Sequence, residues 1–163
     1  SITIPSSLGG CPVTSIGDWA FYDCSGITSI TIPDSVTSIG SDAFYNCSSL
    51  TSVTIPDSVE YIGEFAFEGC LALETITLKE GIETIGSQAF AYCDALESLS
   101  IPASVSSIGV SICDLCYSLS TITVSSSNPY YTATNNILFN KDKTTLCTKI
   151  WMWSLSDKSS MYG

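Results

Sequence analysis

The sequence contains no arginine and no histidine, and its five cations are all lysines. Against them stand 16 aspartates and glutamates, which give the 163-residue chain a formal net charge of −11. Arginine is the side chain best suited to clamping phosphate groups, and histidine is the usual proton carrier near neutral pH. An acidic chain without either repels the phosphates of nucleic acid. We therefore expect no nucleic-acid partner and no enzymatic activity.

Long apolar runs are also lacking. No segment reaches the roughly 18 apolar residues that a membrane helix needs, so we expect no membrane insertion. The charges that are present are distributed unevenly. Residues 1–124 carry 14 carboxylates and only Lys79, whereas residues 125–163 carry four lysines and two aspartates. A slightly basic tail on an acidic body is one reason to consider end-to-end self-association as an alternative role.

What the sequence does have is a unit that returns every 23 residues and is clearest over residues 53–73. In that copy, four apolar positions come first, at Val53, Ile55, Val59 and Ile62. They are followed by a glycine, an alanine–phenylalanine pair, a cysteine and a leucine. The glycine position is unbroken through Gly17, Gly40, Gly63, Gly86 and Gly109. One such unit cannot bury its own apolar side, so the repeat predicts stacked coils that share one linear core.

Each coil can be divided into three segments. V-T-I and I-T-I alternate apolar and polar residues, which predicts a parallel strand with one face inside. The I-G pair predicts a short second strand with a bend at a glycine of positive φ. The A-F-x-x-C segment follows candidate N-cap residues such as Ser41 and predicts one helical turn. The expected fold class is therefore a β-rich α/β solenoid.

The repeat also predicts how the chain is divided. We expect the solenoid over residues 1–124, with an insertion in the first coil near residues 8–12. The period breaks at S-S-S-N-P, residues 125–129. Beyond it, residues 137–139 and 144–147 flank a turn at 140–143 and predict a β-hairpin cap. Residues 125–163 are therefore expected to form this C-terminal hairpin and a non-repeat tail, of which residues 151–163 match nothing in the pattern.

The consensus L-x-x-[IV]-T-[IL]-P-x-S-V-x-x-I-G-x-x-A-F-x-x-C covers about residues 13–124 and resembles the BspA-type leucine-rich repeat of bacterial and protist surface proteins. The resemblance implies a right-handed leucine-rich solenoid. It also implies a cell-surface or extracellular location and a role in adhesion or recognition. It brings no catalytic motif, and it does not indicate which ligand is bound.

Eight cysteines raise the question of disulfides and metal sites. Five of them share one inward position of the repeat: Cys24, Cys47, Cys70, Cys93 and Cys116. Stacked side chains point in parallel, whereas a disulfide needs a χ3 of about 90°, so we expect reduced thiols that pack as small apolar groups. Cys113 and Cys116 form C-x-x-C, but a zinc site would need two more ligands. We expect no metal site and no cofactor.

The outward positions of the first strands are nearly all hydroxyl residues. They are Ser29, Thr31, Ser52, Thr54, Thr75, Thr77, Ser98, Ser100, Thr121 and Thr123. Small and β-branched polar residues suit an exposed strand whatever its role. A regular solenoid face is also where such proteins usually bind, so these ten residues are the candidate ligand-binding face.

A second candidate surface is acidic. Asp34, Asp57 and Glu80 occupy one position of successive coils, and Glu60 and Glu83 flank them. Stacked like charges favour a cation such as calcium or a basic partner, and a merely solvated edge is the simpler alternative.

Three functions follow from these patterns. We expect a non-enzymatic surface module that binds a protein or a glycan through an extended solenoid face. The alternatives are a structural protein that assembles end to end into fibres, and ice binding by the Ser/Thr rows.

Overall fold

The computed structural model describes residues 1–149. Within that range the chain forms a β-solenoid of about five coils of stacked parallel strands. In chain order the strands are β1 (Ile2–Thr3), β2 (Ser7–Leu8), β3 (Cys11–Pro12), β4 (Ser15–Ile16), β5 (Ile30–Thr31), β6 (Ser38–Ile39), β7 (Ser52–Ile55), β8 (Tyr61–Ile62), β9 (Thr75–Leu78), β10 (Thr84–Ile85), β11 (Ser98–Ile101), β12 (Ser107–Ile108), β13 (Thr121–Val124), β14 (Tyr131–Thr134), β15 (Ile137–Asn140) and β16 (Leu146–Lys149).

The first strand of each coil has one buried and one outward face, as predicted. These strands pair in parallel two at a time, β1 with β5, β7 with β9 and β11 with β13. Pairing keeps the 23-residue register, so that Val53 lies opposite Ile76 and Ile55 opposite Leu78. Along β7 exposed and buried residues alternate strictly. Stacking therefore places every apolar residue of a strand against its equivalent in the next coil.

The second strands form one five-stranded parallel sheet in the order β12-β10-β8-β6-β4. The predicted positive φ at the glycine that follows them is wrong. Among residues 1–149, the glycines of positive φ are Gly9, Gly10, Gly69 and Gly81. The repeat glycine is required for a different reason: a Cβ on Gly63 would lie 2.5 Å from the carbonyl carbon of Gly40. Successive coils approach too closely at this corner for any side chain.

The predicted helical turn, and with it the α/β class, is wrong. No helix occurs within residues 1–149, and the A-F-x-x-C segment forms consecutive turns instead. In the second coil Tyr45 N donates to Asp42 O of the same coil at 3.1 Å, whereas Phe44 N donates to Ala66 O of the next coil at 2.8 Å. An α-helix needs successive i→i−4 bonds. Here every second amide donates its hydrogen bond to a carbonyl of the neighbouring coil, so the series of hydrogen bonds that defines a helix does not form.

This alternation of hydrogen bonds requires two residues with a left-handed backbone conformation (positive φ) in every coil. The residues of positive φ in these turns are Trp19, Asp23, Asp42, Asn46, Phe65, Gly69, Gln88, Tyr92, Ser111 and Leu115. Glycine and asparagine tolerate such angles well, whereas bulky side chains adopt them rarely. The repeating hydrogen bonds between coils hold the turns in this conformation whatever the side chain.

The core is a stack of equivalent side chains. The Phe44, Phe67 and Phe90 side chains are fully buried. The ring of Phe67 stacks on Phe44 at 4.9 Å and on Phe90 at 6.0 Å, and Phe21 stacks on Phe44 at 5.1 Å. The burial of Phe44, Phe67 and Phe90, together with the ring contacts between neighbouring coils, makes this column a principal source of stability.

The cysteine position is explained by a hydrogen bond between coils. From the second coil onward, the thiol at this position donates to the carbonyl of the phenylalanine in the preceding coil. The four bonds are Cys47 to Phe21 at 3.2 Å, Cys70 to Phe44 at 3.3 Å, Cys93 to Phe67 at 3.2 Å and Cys116 to Phe90 at 3.0 Å. All eight cysteines are free thiols. Cysteine at this position is thus a buried donor as well as a small apolar group.

The predicted insertion near residues 8–12 is a small antiparallel hairpin of β2 and β3. Gly9 and Gly10 form its two-residue turn with φ angles of 59° and 84°. Positive φ at both central residues is characteristic of the type I′ turn that suits tight hairpins. Its Leu8 side chain is 73 % exposed, so the hairpin projects from the first coil.

The C-terminal sheet contains the predicted hairpin, as β15 and β16, and one strand more. Its three strands are antiparallel in the order β14-β15-β16. Asn128 attaches the sheet to the last coil and is 1 % exposed. Its Nδ2 donates to Pro102 O and Val105 O, both at 2.9 Å, and its Oδ1 accepts from the amides of Tyr130 and Tyr131 at 2.8 Å. The side chain therefore joins the two parts of the chain through all of its polar atoms.

Tyr131 completes the attachment at the second-strand sheet. The amide of Ile108 in β12 donates to Tyr131 Oη at 3.0 Å, where the repeat would otherwise place a further strand. Leu138 of β15 is fully buried against the core. Side chains thus close the C-terminal end of the solenoid. The non-repeat stretch predicted at residues 151–163 lies outside the described residues.

Candidate binding surfaces

The ten hydroxyl residues of the candidate face lie on the outward side of the first strands. Nine are exposed, and Ser29 is half-buried. In β7 and β9, Ser52 lies opposite Thr75 and Thr54 opposite Thr77. The same two rows continue in β11 and β13. We call this surface the hydroxyl face; stacking brings its ten residues together in two parallel rows.

One further residue, which was not predicted, extends the hydroxyl face beyond its ten residues. Thr3 lies opposite Thr31 in the pair of β1 with β5, and it is exposed. It adds a rung to the row that then continues through Thr54 and Thr77. The I-T-I motif at residues 2–4 was the signal that could have identified it.

The hydroxyls of this face are not used to hold the fold together. Elsewhere Thr37, Thr51 and Ser58 donate to carbonyls of the preceding coil at 3.2, 3.2 and 2.7 Å. None of the ten face hydroxyls makes a hydrogen bond within residues 1–149. Strands about 4.8 Å apart, with outward residues about 6.8 Å apart along each, present these groups as a regular grid.

The five residues of the acidic edge are all exposed, but they do not act alike. The Glu80 carboxylate accepts from the amides of Ala103 at 3.2 Å and Ser104 at 3.1 Å in the next coil. It therefore ties one coil to another. Asp34 and Asp57 take the same position in earlier coils, and neither makes a side-chain hydrogen bond to the rest of residues 1–149. Glu60 and Glu83 lie beside them.

The acidic edge does not assemble a metal site in the part of the chain that the structure describes. No group of three or more histidine, cysteine, aspartate or glutamate side chains converges there. Calcium takes six to eight oxygen ligands. An edge with one or two exposed carboxylates per coil, of which Glu80 already accepts from two backbone amides, does not bring that many oxygen ligands together.

The buried cysteines are poor nucleophiles. Burial raises the pKa of Cys47 and of Cys113 to about 11, and that of Cys116 to about 12. Thiolates are the reactive form of cysteine, so these thiols are unreactive near neutral pH. Cys113 and Cys116, the C-x-x-C pair, are both buried in the core column.

A third surface, which sequence reasoning missed, lies on the turn side of coils one to three. It combines aromatic and acidic side chains, and we call it the turn surface: Trp19, Tyr22, Asp42, Tyr45, Phe65 and Glu68. Trp19 is 62 % exposed and Tyr22 is 44 % exposed. The rings of Tyr22 and Tyr45 stack at 4.8 Å with planes 6° apart. Large aromatic residues at variable positions of the repeat were the signal that could have identified it.

The carboxylates of the turn surface are close to its rings and to one another. Burial, and then the carboxylate of Asp42, raise the pKa of Glu68. Burial, followed by the charge of Glu68, raises the pKa of Tyr45. Glu68 Oε2 is buried and has no hydrogen-bond partner within residues 1–149. The negative charge of this surface is therefore uncompensated in that part of the chain.

No helix within residues 1–149 is long and apolar enough to span a membrane.

Comparisons with known proteins find similarity to leucine-rich repeat proteins, both in sequence and in structure. A profile of the BspA type leucine rich repeat region matches residues 14–144 in six copies, further towards the C terminus than the predicted 13–124. A leucine-rich repeat protein of T. pallidum is 31 % identical over 75 % of this chain, with a TM-score of 0.73. One from Bacteroides ovatus is 40 % identical over 74 % of this chain, with a TM-score of 0.70. The pneumococcal vaccine antigen PcpA is 29 % identical over 89 % of this chain, with a TM-score of 0.70.

The chain spans only part of these structures, namely 57 %, 32 % and 45 % of their respective lengths. No curated protein matches it. The matched region nevertheless covers most of the 163 residues, and it includes the stacked coils from residue 14 onward with their columns of phenylalanine, glycine and cysteine. The chain belongs to the family of BspA-type leucine-rich repeat proteins.

Proposed function

We propose that this protein is a non-enzymatic recognition module of the cell exterior that binds an extended glycan or polypeptide along its hydroxyl face. The observation that carries the proposal is the set of ten outward hydroxyls that the fold itself leaves without hydrogen bonds. Because the fold does not use them, their hydrogen-bonding capacity is available to a partner.

The shape of the face limits the partner. A row of parallel strands does not enclose a small molecule, but it matches a chain of comparable length. Each neutral hydrogen bond contributes a net ~0.5–1.5 kcal/mol at best. Useful affinity therefore requires several coils to be engaged at once, and it should grow with the length of the partner.

The extracellular location rests on relatives. The similarity to a pneumococcal vaccine antigen supports exposure to the surroundings of the cell, because an antigen of that kind must be accessible from outside. The family resemblance implies the same location. Acidic charge on the body of the solenoid, with 14 carboxylates in residues 1–124, adds salt-dependent attraction for basic partners.

Replacing Thr54 and Thr77 together with lysine tests the proposal. The probes are an array of linear oligosaccharides and an array of extended synthetic peptides. A ligand found with the wild type should be lost, because two long side chains cover the centre of the grid. Ser126→Lys with Ser127→Lys is the matched control, since both residues are exposed serines outside the hydroxyl face. If the face variant binds as well as the wild type, the hydroxyl face is not the site.

The acidic edge has a separate role in this proposal. Asp57→Ala removes a carboxylate that makes no side-chain hydrogen bond within residues 1–149. It should weaken association mainly at low salt and leave binding at high salt unchanged, because only the screened charge attraction is lost. Titrations at two salt concentrations measure this difference. Fibre assembly and ice binding stay predictions, which light scattering and thermal hysteresis would test.

A further inference from the structure

We propose that the turn surface is a second binding site, which takes an extended, arginine-containing segment of a partner protein. The proposal is independent of the hydroxyl face. It rests on exposed aromatic rings set beside carboxylates that no cation of the described chain neutralises.

The fold does not need the aromatic residue at the edge of this surface. Trp19 has a φ of 56°, in the left-handed region that bulky side chains rarely adopt. The equivalent residues of other coils are Asp42, Phe65, Gln88 and Ser111, which hold the same backbone angle with small, polar and aromatic side chains alike. Trp19 is also largely exposed, so it adds little to the core. A tryptophan at this position is therefore explained better by a contact to another molecule than by folding.

The rings provide a platform for a flat cation. Tyr22 and Trp19 belong to one turn, in which Tyr22 N donates to Trp19 O at 3.1 Å. The ring of Tyr22 in turn stacks on Tyr45 of the next coil. A guanidinium group is planar and weakly hydrated, and it stacks on aromatic faces through cation–π attraction. Because Tyr22 and Tyr45 cover one face of each other, a guanidinium stacks on the outer face of Tyr22, in the same turn as the exposed Trp19.

The carboxylates provide the complementary charge. Asp42 precedes Tyr45 in the same turn, and Tyr45 N donates to Asp42 O at 3.1 Å. Glu68 occupies the position of Tyr45 in the following coil and is half-buried; its Oε2 is enclosed without a hydrogen-bond partner within residues 1–149, so a guanidinium reaches this carboxylate through Oε1. Residues 1–124 contain one cation, Lys79. Two neighbouring carboxylates repel one another, and a guanidinium that bonds to both relieves that repulsion.

The spacing favours an extended segment. Coils repeat about every 4.8 Å, and side chains on one face of an extended polypeptide repeat about every 6.8 Å. Two arginines separated by one residue can therefore place one guanidinium on the outer face of Tyr22 and the other at the Asp42–Glu68 carboxylates, which lie one to two coils further along. Lysine fits less well because its ammonium neither stacks nor bonds in a bidentate manner.

The test uses a fluorescein-labelled peptide of five Arg-Gly repeats and measures fluorescence anisotropy with the whole chain at physiological salt. The same peptide with citrulline in place of arginine keeps the shape and removes the charge. We expect saturable binding of the arginine peptide and no binding of the citrulline peptide. We also expect a lysine peptide to bind several-fold more weakly.

Two variants of the turn surface and one control variant locate the site. Asp42→Asn with Glu68→Gln should weaken binding about tenfold or more, and asparagine tolerates the left-handed angle at position 42. Asp57→Asn with Glu60→Gln removes the same charge from the acidic edge and should change affinity less than twofold. Trp19→Gly should weaken binding about fivefold while the melting temperature stays the same or rises, because glycine relieves the backbone angle.

Several results would overturn the proposal. If both pairs of carboxylate variants weaken binding equally, the attraction is a general effect of net charge. Unchanged binding by the Asp42 and Glu68 variant places the peptide elsewhere. Binding of the citrulline peptide, or loss of an oligosaccharide ligand in Trp19→Gly without an effect on the arginine peptide, would assign the rings to a neutral ligand.

Discussion

Raising the pH above 9 should unfold the protein. Five thiols must stay protonated while they are buried in the fold, whereas the same thiols ionise in the unfolded chain. They are Cys47, Cys70, Cys93, Cys113 and Cys116. Burial raises the pKa of each above the ordinary value of 9.0, to about 11 for Cys47 and about 12 for Cys116. A raised pKa contributes stability that is complete below pH 9 and is lost as pH rises towards the folded-state value.

The magnitude follows from the number of thiols. At pH 10 an unfolded thiol of pKa 9.0 is mostly ionised, and this favours the unfolded chain by about 1.4 kcal/mol per thiol. Five such thiols together destabilise the fold by about 7 kcal/mol. A domain of this size is typically stable by only about 5–15 kcal/mol. A loss of this size takes away half or more of that stability, so the fold should fail within one to two pH units above 9.

Urea unfolding at pH 7, 8, 9 and 10, with a reducing agent present, measures the free energy of unfolding directly. Cys70→Ser is the control, because its hydroxyl can donate to the same Phe44 carbonyl but does not ionise in this range. The variant should lose stability with pH about one-fifth less steeply than the wild type. A free energy of unfolding that stays constant from pH 8 to 10 would refute the buried thiol column, as would equal slopes for wild type and variant.

Four further predictions concern the fold. Phe67→Ala should destabilise by about 3–5 kcal/mol, whereas Thr54→Ala on the hydroxyl face should cost under about 1 kcal/mol. Equal denaturant midpoints for the two would contradict the assigned register. Gly63→Ala should destabilise by about 1–3 kcal/mol, because the added Cβ meets backbone of the preceding coil; a thermal melt measures it, and an unchanged midpoint would rule out the close approach. Asn128→Ala should cost about 3 kcal/mol and increase hydrogen exchange in strands β14–β16, because buried carbonyls and amides lose their partner. Alkylation of the native protein, mapped by mass spectrometry, should label Cys11 first, and rapid labelling of a core cysteine would count against the stack.

The stacked strands could be predicted because the 23-residue period and the alternation within each strand act together. Val53 and Ile55 bury one face of a strand, and Ile76 and Leu78 repeat them one coil later. Only parallel stacking in register satisfies both patterns. The phenylalanine and cysteine positions were assigned to the interior on the same argument. Burial of Phe67 and Cys70 at zero exposure agrees with it.

The turns could not be predicted from the same reasoning. Alanine, phenylalanine and cysteine at A-F-x-x-C have the spacing of one helical face, and a local reading of Ser41 to Cys47 favours a helix. Hydrogen bonds to the next coil decide otherwise, as Phe44 N to Ala66 O shows. Those bonds join residues 22 positions apart, so the short A-F-x-x-C segment contains only one of the two partners of each bond. The repeat glycine was misinterpreted for a similar reason, because the backbone that leaves no room for a side chain there belongs to another coil.

Single side chains that join coils were also beyond the sequence pattern. Glu80 was assigned to a surface column, yet its carboxylate binds the amides of Ala103 and Ser104. Asn128 lies in a segment where the repeat has ended, so the repeat pattern predicted nothing about its burial or its hydrogen bonds. Each depends on which backbone groups of the neighbouring coil are left without partners, and that becomes visible only when the coils are stacked.

The two proposed binding surfaces differ in the part of the repeat that forms them, and this difference has a physical consequence. The hydroxyl face is made by repeat positions, so every coil offers nearly the same weak donors and acceptors. Binding there should depend on the length of the partner more than on its sequence. The turn surface is made by variable positions such as Trp19, Tyr45 and Glu68, and it is confined to three coils. Its rings and carboxylates favour one kind of group, a guanidinium. Affinity there should therefore depend on the sequence of a short segment and should not increase with the length of the partner.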